Sequence, residues 1–148
     1  MKRFKKILVA VLILCLAIVP LSPMSAIAAG DDGIMPRYNN VNTATANMTI
    51  SDSGMMTIGY SVEGYRNITN KIVITIYIEK RTLGVFWSRV DLPSSDDQWV
   101  YTIYDYNYTN FTTYQLSSTG TYRVTVNFKV YGTGGAVDEI ETQIKATY

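Results

Sequence analysis

Tyr122-Arg123-Val124-Thr125-Val126-Asn127-Phe128-Lys129-Val130 is the stretch that decides the fold. Tyr122, Val124, Val126, Phe128 and Val130 alternate with Arg123, Thr125, Asn127 and Lys129, and a period of two belongs to a strand with one apolar face. Gly132-Thr133-Gly134-Gly135 turns the chain back, after which Ile140, Ile144 and Ala146 alternate with Glu139, Glu141 and Lys145.

Upstream the same period recurs. Ala44, Ala46, Met48 and Ile50 alternate with Thr45, Asn47 and Thr49, and Ser51-Asp52-Ser53-Gly54 is a turn by composition. Met56, Ile58, Tyr60 and Val62 make the next apolar set, and Ile72, Ile74, Ile76 and Ile78 another. Val73 and Tyr77 render the second face of that run partly apolar, which predicts a central strand. Lys71 before it and Glu79-Lys80-Arg81 after it are charged gatekeepers against aggregation. Residues 85–90 and 99–103 read as two short strands around a loop with Pro93 and Asp96-Asp97, and residues 106–116 as a loop or a short strand.

About seven strands at spacings of roughly 8 to 12 residues predict an all-β fold, a single antiparallel β-sandwich of immunoglobulin or fibronectin type. Leu116-x-x-x-Gly120-x-Tyr122-x-Val124 adds to this, because such sandwiches place a tyrosine two residues before a core position and bond its hydroxyl to upstream backbone. Val124 stands where those domains often carry cysteine, and the usual tryptophan on the third strand is missing.

The N-terminus reads as a secretory signal. Lys2, Arg3, Lys5 and Lys6 precede an unbroken apolar run over residues 7–19. At about 1.5 Å per helical residue the run spans about 20 Å, short of a bilayer core of about 30 Å. Ala26-Ile27-Ala28 supplies small residues for signal peptidase and places cleavage before Ala29. The expected organisation is a signal peptide over 1–28, a polar lead-in over 29–43 and the sandwich over 44–148. Removing 28 residues with four basic and no acidic groups leaves 120 residues with a formal charge of −3. Secretion follows, with no transmembrane anchor once the signal is gone, because no second apolar run follows it.

Composition narrows the chemistry. The chain has 148 residues, a formal charge of +1, no histidine, and Cys15 as its only cysteine, which lies inside the signal. This excludes the commonest zinc sites, Ser-His-Asp and Cys-His mechanisms and a disulfide framework. The charge balance argues against nucleic-acid capture. The glycine run 132–135 lacks the lysine and helix of a phosphate loop, and neither Asp31-Asp32 nor Asp96-Asp97 has the spacing of a calcium loop. Glu63, Glu79, Asp91 and Asp105 are not paired by any pattern as glycoside hydrolysis requires. No enzyme activity and no cofactor are expected. Asn47, Asn67, Asn107 and Asn110 each open an Asn-x-Thr triplet, and Thr- and Asn-rich composition produces such matches by chance.

The twelve tyrosines concentrate attention on residues 86–114. With Trp99, Tyr101 and Ile103 facing the core, Tyr104, Tyr106 and Tyr108 would form an exposed row at about 7 Å spacing, joined by an exposed Trp87. Aromatic rows on sandwiches hold sugar rings, and tyrosine equally suits protein interfaces. The alternative is a tyrosine-rich segment packed on its own domain.

Several segments carry a resemblance: Met35-Pro36-Arg37-Tyr38, Gly64-Tyr65-Arg66-Asn67-Ile68-Thr69, Phe86-Trp87-Ser88-Arg89-Val90-Asp91, Leu116-Ser117-Ser118-Thr119-Gly120-Thr121-Tyr122-Arg123 and Gly132-Thr133-Gly134-Gly135-Ala136. With the signal, they resemble a family of small exported proteins of Gram-positive gut anaerobes, largely Clostridia, classed as a domain of unknown function. The resemblance implies a bacterial source and export and carries no activity. The expectation is an exported, non-catalytic binding domain whose partner is a protein or a glycan at the cell exterior. A small carbohydrate-binding domain and a secreted toxin or bacteriocin-like protein are the alternatives. The terminal strands, neither proline-shielded nor uniformly charged, leave edge-strand self-association open.

Overall fold

A computed structural model describes residues 38–94 and 96–148. The expected signal peptide over 1–28 and the lead-in as far as residue 37 lie outside the described residues. Eight strands follow in order: β1 (Val41–Ile50), β2 (Met55–Gly64), β3 (Thr69–Thr82), β4 (Phe86–Arg89), β5 (Trp99–Ile103), β6 (Asn107–Gln115), β7 (Thr121–Gly132) and β8 (Asp138–Thr147). All pairings are antiparallel. One sheet runs β1-β2-β6, and the other runs β4-β3-β7-β8, with β5 sharing the β4 edge of β3.

The two best apolar alternations form the middle of the larger sheet. Ile72, Ile74, Ile76 and Ile78 of β3 oppose Val130, Phe128, Val126 and Val124 of β7, and all eight are fully buried. Met56, Ile58, Tyr60 and Val62 of β2 close the core from the smaller sheet. Burial at about 2 kcal/mol for such a side chain makes a register slip, which would turn either set to solvent, prohibitive. With β1, β2 and β6 in one sheet and β3, β7 and β8 in the other, the order matches immunoglobulin- and fibronectin-type sandwiches. The tyrosine corner is present: the Tyr122 hydroxyl donates to the Ser118 carbonyl at 2.6 Å, two residues before buried Val124.

Two boundaries differ from expectation. Residues 107–115 form a full edge strand: on its core side Tyr108, Thr112 and Tyr114 are half-buried while Asn110 stays exposed, and that polar chemistry hides the alternation. β1 starts at Val41 rather than at 44, so the polar lead-in ends inside the domain. Its anchor is the buried Asp138 carboxylate, which accepts the backbone N–H groups of Asn39, Asn40 and Val41 at 3.1, 2.6 and 3.0 Å. The buried Asn40 side chain donates to the Ala136 carbonyl at 2.7 Å and accepts from the Gly134 N–H at 3.1 Å. Gly134 allows this crossing, since a Cβ there would stand 2.1 Å from the Asn39 carbonyl oxygen. No helix among the described residues is long and apolar enough to cross a membrane.

Candidate binding face

Strand parity assigns the outer face of the larger sheet. Opposite the buried positions, β3 projects Lys71, Tyr77, Glu79 and Arg81, while β4 projects Trp87 and Arg89. β7 projects Arg123, Lys129 and Tyr131, and β8 projects Glu139, Glu141 and Lys145. Residues 38–148 hold eight Lys or Arg and ten Asp or Glu, and six of those cations but only three of those carboxylates sit on this face. These face residues carry +3, whereas the rest of residues 38–148 carries −5, buried Asp138 included. A polarity of this kind makes the potential outside one side of a molecule favourable to anions.

The cations lie on aromatic rings. The Arg123 guanidinium sits 4.5 Å from the Trp87 ring centroid, with the Lys145 ammonium 5.7 Å from the same ring. Arg89 lies 3.3 Å over Tyr77, and Lys71 lies 3.8 Å over Tyr131. Each contact contributes about 0.5–2 kcal/mol and, more to the point, restricts a long side chain without consuming its hydrogen-bond donors. Arg123 is held from a second side, its Nε donating to Glu79 at 2.8 Å. Lys129 pairs with Glu139 at 2.9 Å, and that bonded carboxylate raises the lysine pKa. Beneath this layer Thr125 is fully buried, flanked in register by Tyr77 and Gln143, and its hydroxyl has no partner among the described residues.

The expected tyrosine row does not form. Tyr104 ends the β5 segment on the outer face and is 81% exposed. The chain then crosses to the other sheet, so the same parity points inward at Tyr108, whose ring packs at 6.3 Å from that of buried Tyr60. Tyr106, at the crossing, accepts a 2.6 Å hydrogen bond from Arg66, whose guanidinium lies 5.0 Å over its ring. Trp87 is half-buried rather than exposed, because Arg123 and Lys145 cover it. Much of the tyrosine-rich segment is internal: Tyr101 stacks on Tyr60 at 5.8 Å, and Trp99 meets Tyr114 edge-on at 6.3 Å.

Tyr104 does join residues that sequence reading passed over. A depression of about 510 Å³ at its end of the face is lined by Asn70, Lys71, Tyr104, Tyr131, Gly132 and Val137. A second, of about 410 Å³, lies between Thr75, Gln98, Asn127, Lys129, Glu139 and Glu141. The signal that would have found the face is the polar half of the alternation: Arg123, Lys129 and Lys145 are the residues between the core positions. No group of three or more His, Cys, Asp or Glu residues is placed to hold a metal among the described residues. No family model matches the chain, and no curated protein matches it either.

Proposed function

We propose that this chain is an exported, non-catalytic binding domain that holds an anionic partner at the cell exterior on the outer face of its larger sheet. The observation that carries the reading is the gathering of six of the eight cations in residues 38–148 on that one face, most of them seated on aromatic rings. Export rests on the basic start, the apolar run over residues 7–19 and the Ala26-Ile27-Ala28 site. Rings already occupied by guanidinium or ammonium groups suit anion capture better than sugar stacking, because an anion needs the donors and leaves the ring contact intact.

Affinity electrophoresis of the exported chain in gels containing polygalacturonate, with neutral dextran as control, tests this. Retardation by polygalacturonate alone, relieved by salt and by Arg89→Gln with Lys145→Gln, is expected. Equal mobility in both gels would overturn it.

The carbohydrate reading keeps one specific support, the open ring of Tyr104 beside Tyr131 in the 510 Å³ depression. The two residues stand two strands apart, about 10 Å, a spacing at which two sugar rings of one chain could rest. Retardation by neutral dextran that Tyr104→Ala abolishes would favour this second reading.

A further inference from the structure

The β3–β4 hairpin ends in an apolar tip that nothing in the fold uses. Leu83 is 86% exposed, Val85 65% and Phe86 64%. The tip projects: β3 stays paired with β7 only as far as Lys80 opposite Tyr122, whereas its pairing with β4 continues to Thr82 opposite Phe86. The turn is closed by the Val85 N–H bonding to the Thr82 carbonyl at 3.2 Å, and both central residues have positive φ, +52° at Leu83 and +73° at Gly84. Gly84 accepts that conformation freely, but Leu83 is strained in it, and asparagine or glycine at 83 would relieve the strain. A large apolar side chain held in a left-handed conformation and aimed into solvent serves neither folding nor solubility.

What lies behind the tip indicates what it meets. Trp87 follows Phe86, and Arg81 stands opposite Trp87 in the register. Arg89, Arg123 and Lys145 come next around the Trp87 and Tyr77 rings. Among the outward residues paired in the strands at this end the one carboxylate is Glu79, already bonded to Arg123 at 2.7 Å. From Leu83 back to the level of Arg81 and Trp87 the hairpin spans about 7 Å, and to the level of Glu79 and Arg89 about 13 Å. Apolar residues, then an indole, then cations, in that order over about 13 Å, is the sequence of environments from acyl chains through the interface to anionic headgroups.

We infer that the β3–β4 tip docks the domain on an anionic lipid bilayer, with Leu83, Val85 and Phe86 entering the acyl boundary and the adjoining cations meeting the headgroups. This rests on the anionic-partner reading and names the partner's class. The three side chains alone are too small an apolar area for stable anchoring, so attachment is reversible and depends on lipid charge.

Flotation with phosphatidylglycerol–phosphatidylcholine vesicles, against vesicles of phosphatidylcholine alone, tests it. The exported chain should float with the anionic vesicles and stay largely in solution with the neutral ones. Leu83→Asp combined with Phe86→Ser should cut flotation at least tenfold, while retardation by polygalacturonate stays unchanged and reports a folded, intact face. Failure of the parent chain to float, or flotation that survives the double substitution, overturns the inference and leaves the polygalacturonate result standing. Dimerisation abolished by the double substitution, without flotation, overturns it in favour of a second copy of the chain. Flotation lost with the tip in a protein that polygalacturonate never retards keeps the tip and removes the broader reading of the face.

Discussion

The Arg123 guanidinium lies between the Trp87 ring, 4.5 Å from its centroid, and the Glu79 carboxylate, 2.7 Å from its nearest oxygen. Both charged side chains are mostly covered, at 20% and 13% exposure, so neither is fully solvated by water. Removing one partner leaves the other underhydrated and unpaired, which costs more than the pair itself contributes. Arg123→Met should therefore lower unfolding stability by about 2 kcal/mol, and Glu79→Gln by about 1 kcal/mol. The double variant should fall by less than the sum, with a coupling of about 1 kcal/mol in urea titrations. Strict additivity would show that the two groups do not sense each other.

Leu83 gives a prediction of opposite sign. An L-residue in the left-handed region costs about 1–2 kcal/mol, less for asparagine, whose side chain bonds locally. At 86% exposure Leu83 contributes almost no burial to offset that cost. Leu83→Asn should raise stability by about 1 kcal/mol, read as a higher urea midpoint at constant slope. A destabilised Leu83→Asn would mean that the leucine packs on the domain.

How much of this was legible follows from what each residue does. The sets 72–78 and 122–130 announced themselves because burial on one side of a strand selects apolar residues at every second position. The tyrosine corner was readable for the same reason, since Tyr122 and Val124 share that period. β6 was not, because its core-side positions include half-buried Thr112 and exposed Asn110, on an edge strand where the core is thin. The Tyr104–Tyr108 row failed on a point that parity cannot see: a crossing between sheets reverses which parity faces inward. Asp138, one of three acids at the start of β8, gave no hint that three backbone N–H groups some hundred residues upstream converge on it.

That convergence makes Asp138 the residue on which the start of β1 depends. The residue is 6% exposed, and its carboxylate accepts from Asn39, Asn40 and Val41. Asp138→Ala would strand those donors in a site that water scarcely reaches and should cost about 3 kcal/mol. Asp138→Asn retains an acceptor and should cost about half as much. Hydrogen exchange provides the local readout: the amides of Asn40 and Val41 should lose protection in both variants before the centre of β7 does. Equal loss across β7 would show that the latch and the core unfold as one unit.

Tyr60 connects the core to pH. Its ring is 3% exposed between Tyr101 and Tyr108, and its hydroxyl has no hydrogen-bond partner among the described residues. Burial, followed by the neighbouring Tyr101 and Tyr108 phenols, raises its pKa well above the ordinary 10. The folded state thus holds the phenolic proton more tightly than the unfolded chain does. The resulting stability is fully present below pH 10, and is lost as pH rises from 10 toward the folded value. Tyr60→Phe removes both the unpaired hydroxyl and this linkage. At pH 7 it should raise stability by about 1 kcal/mol. Above pH 10 the loss of stability should be shallower than in the parent by about 1.4 kcal/mol per pH unit, one proton's worth. Tyr114, also raised by burial and then by Asp91 and Tyr122, keeps a weaker dependence of the same sign in the variant. Urea titrations at pH 7, 10 and 11 check both halves, and parallel pH profiles for parent and variant would show that Tyr60 ionises as freely in the folded state as in the unfolded chain.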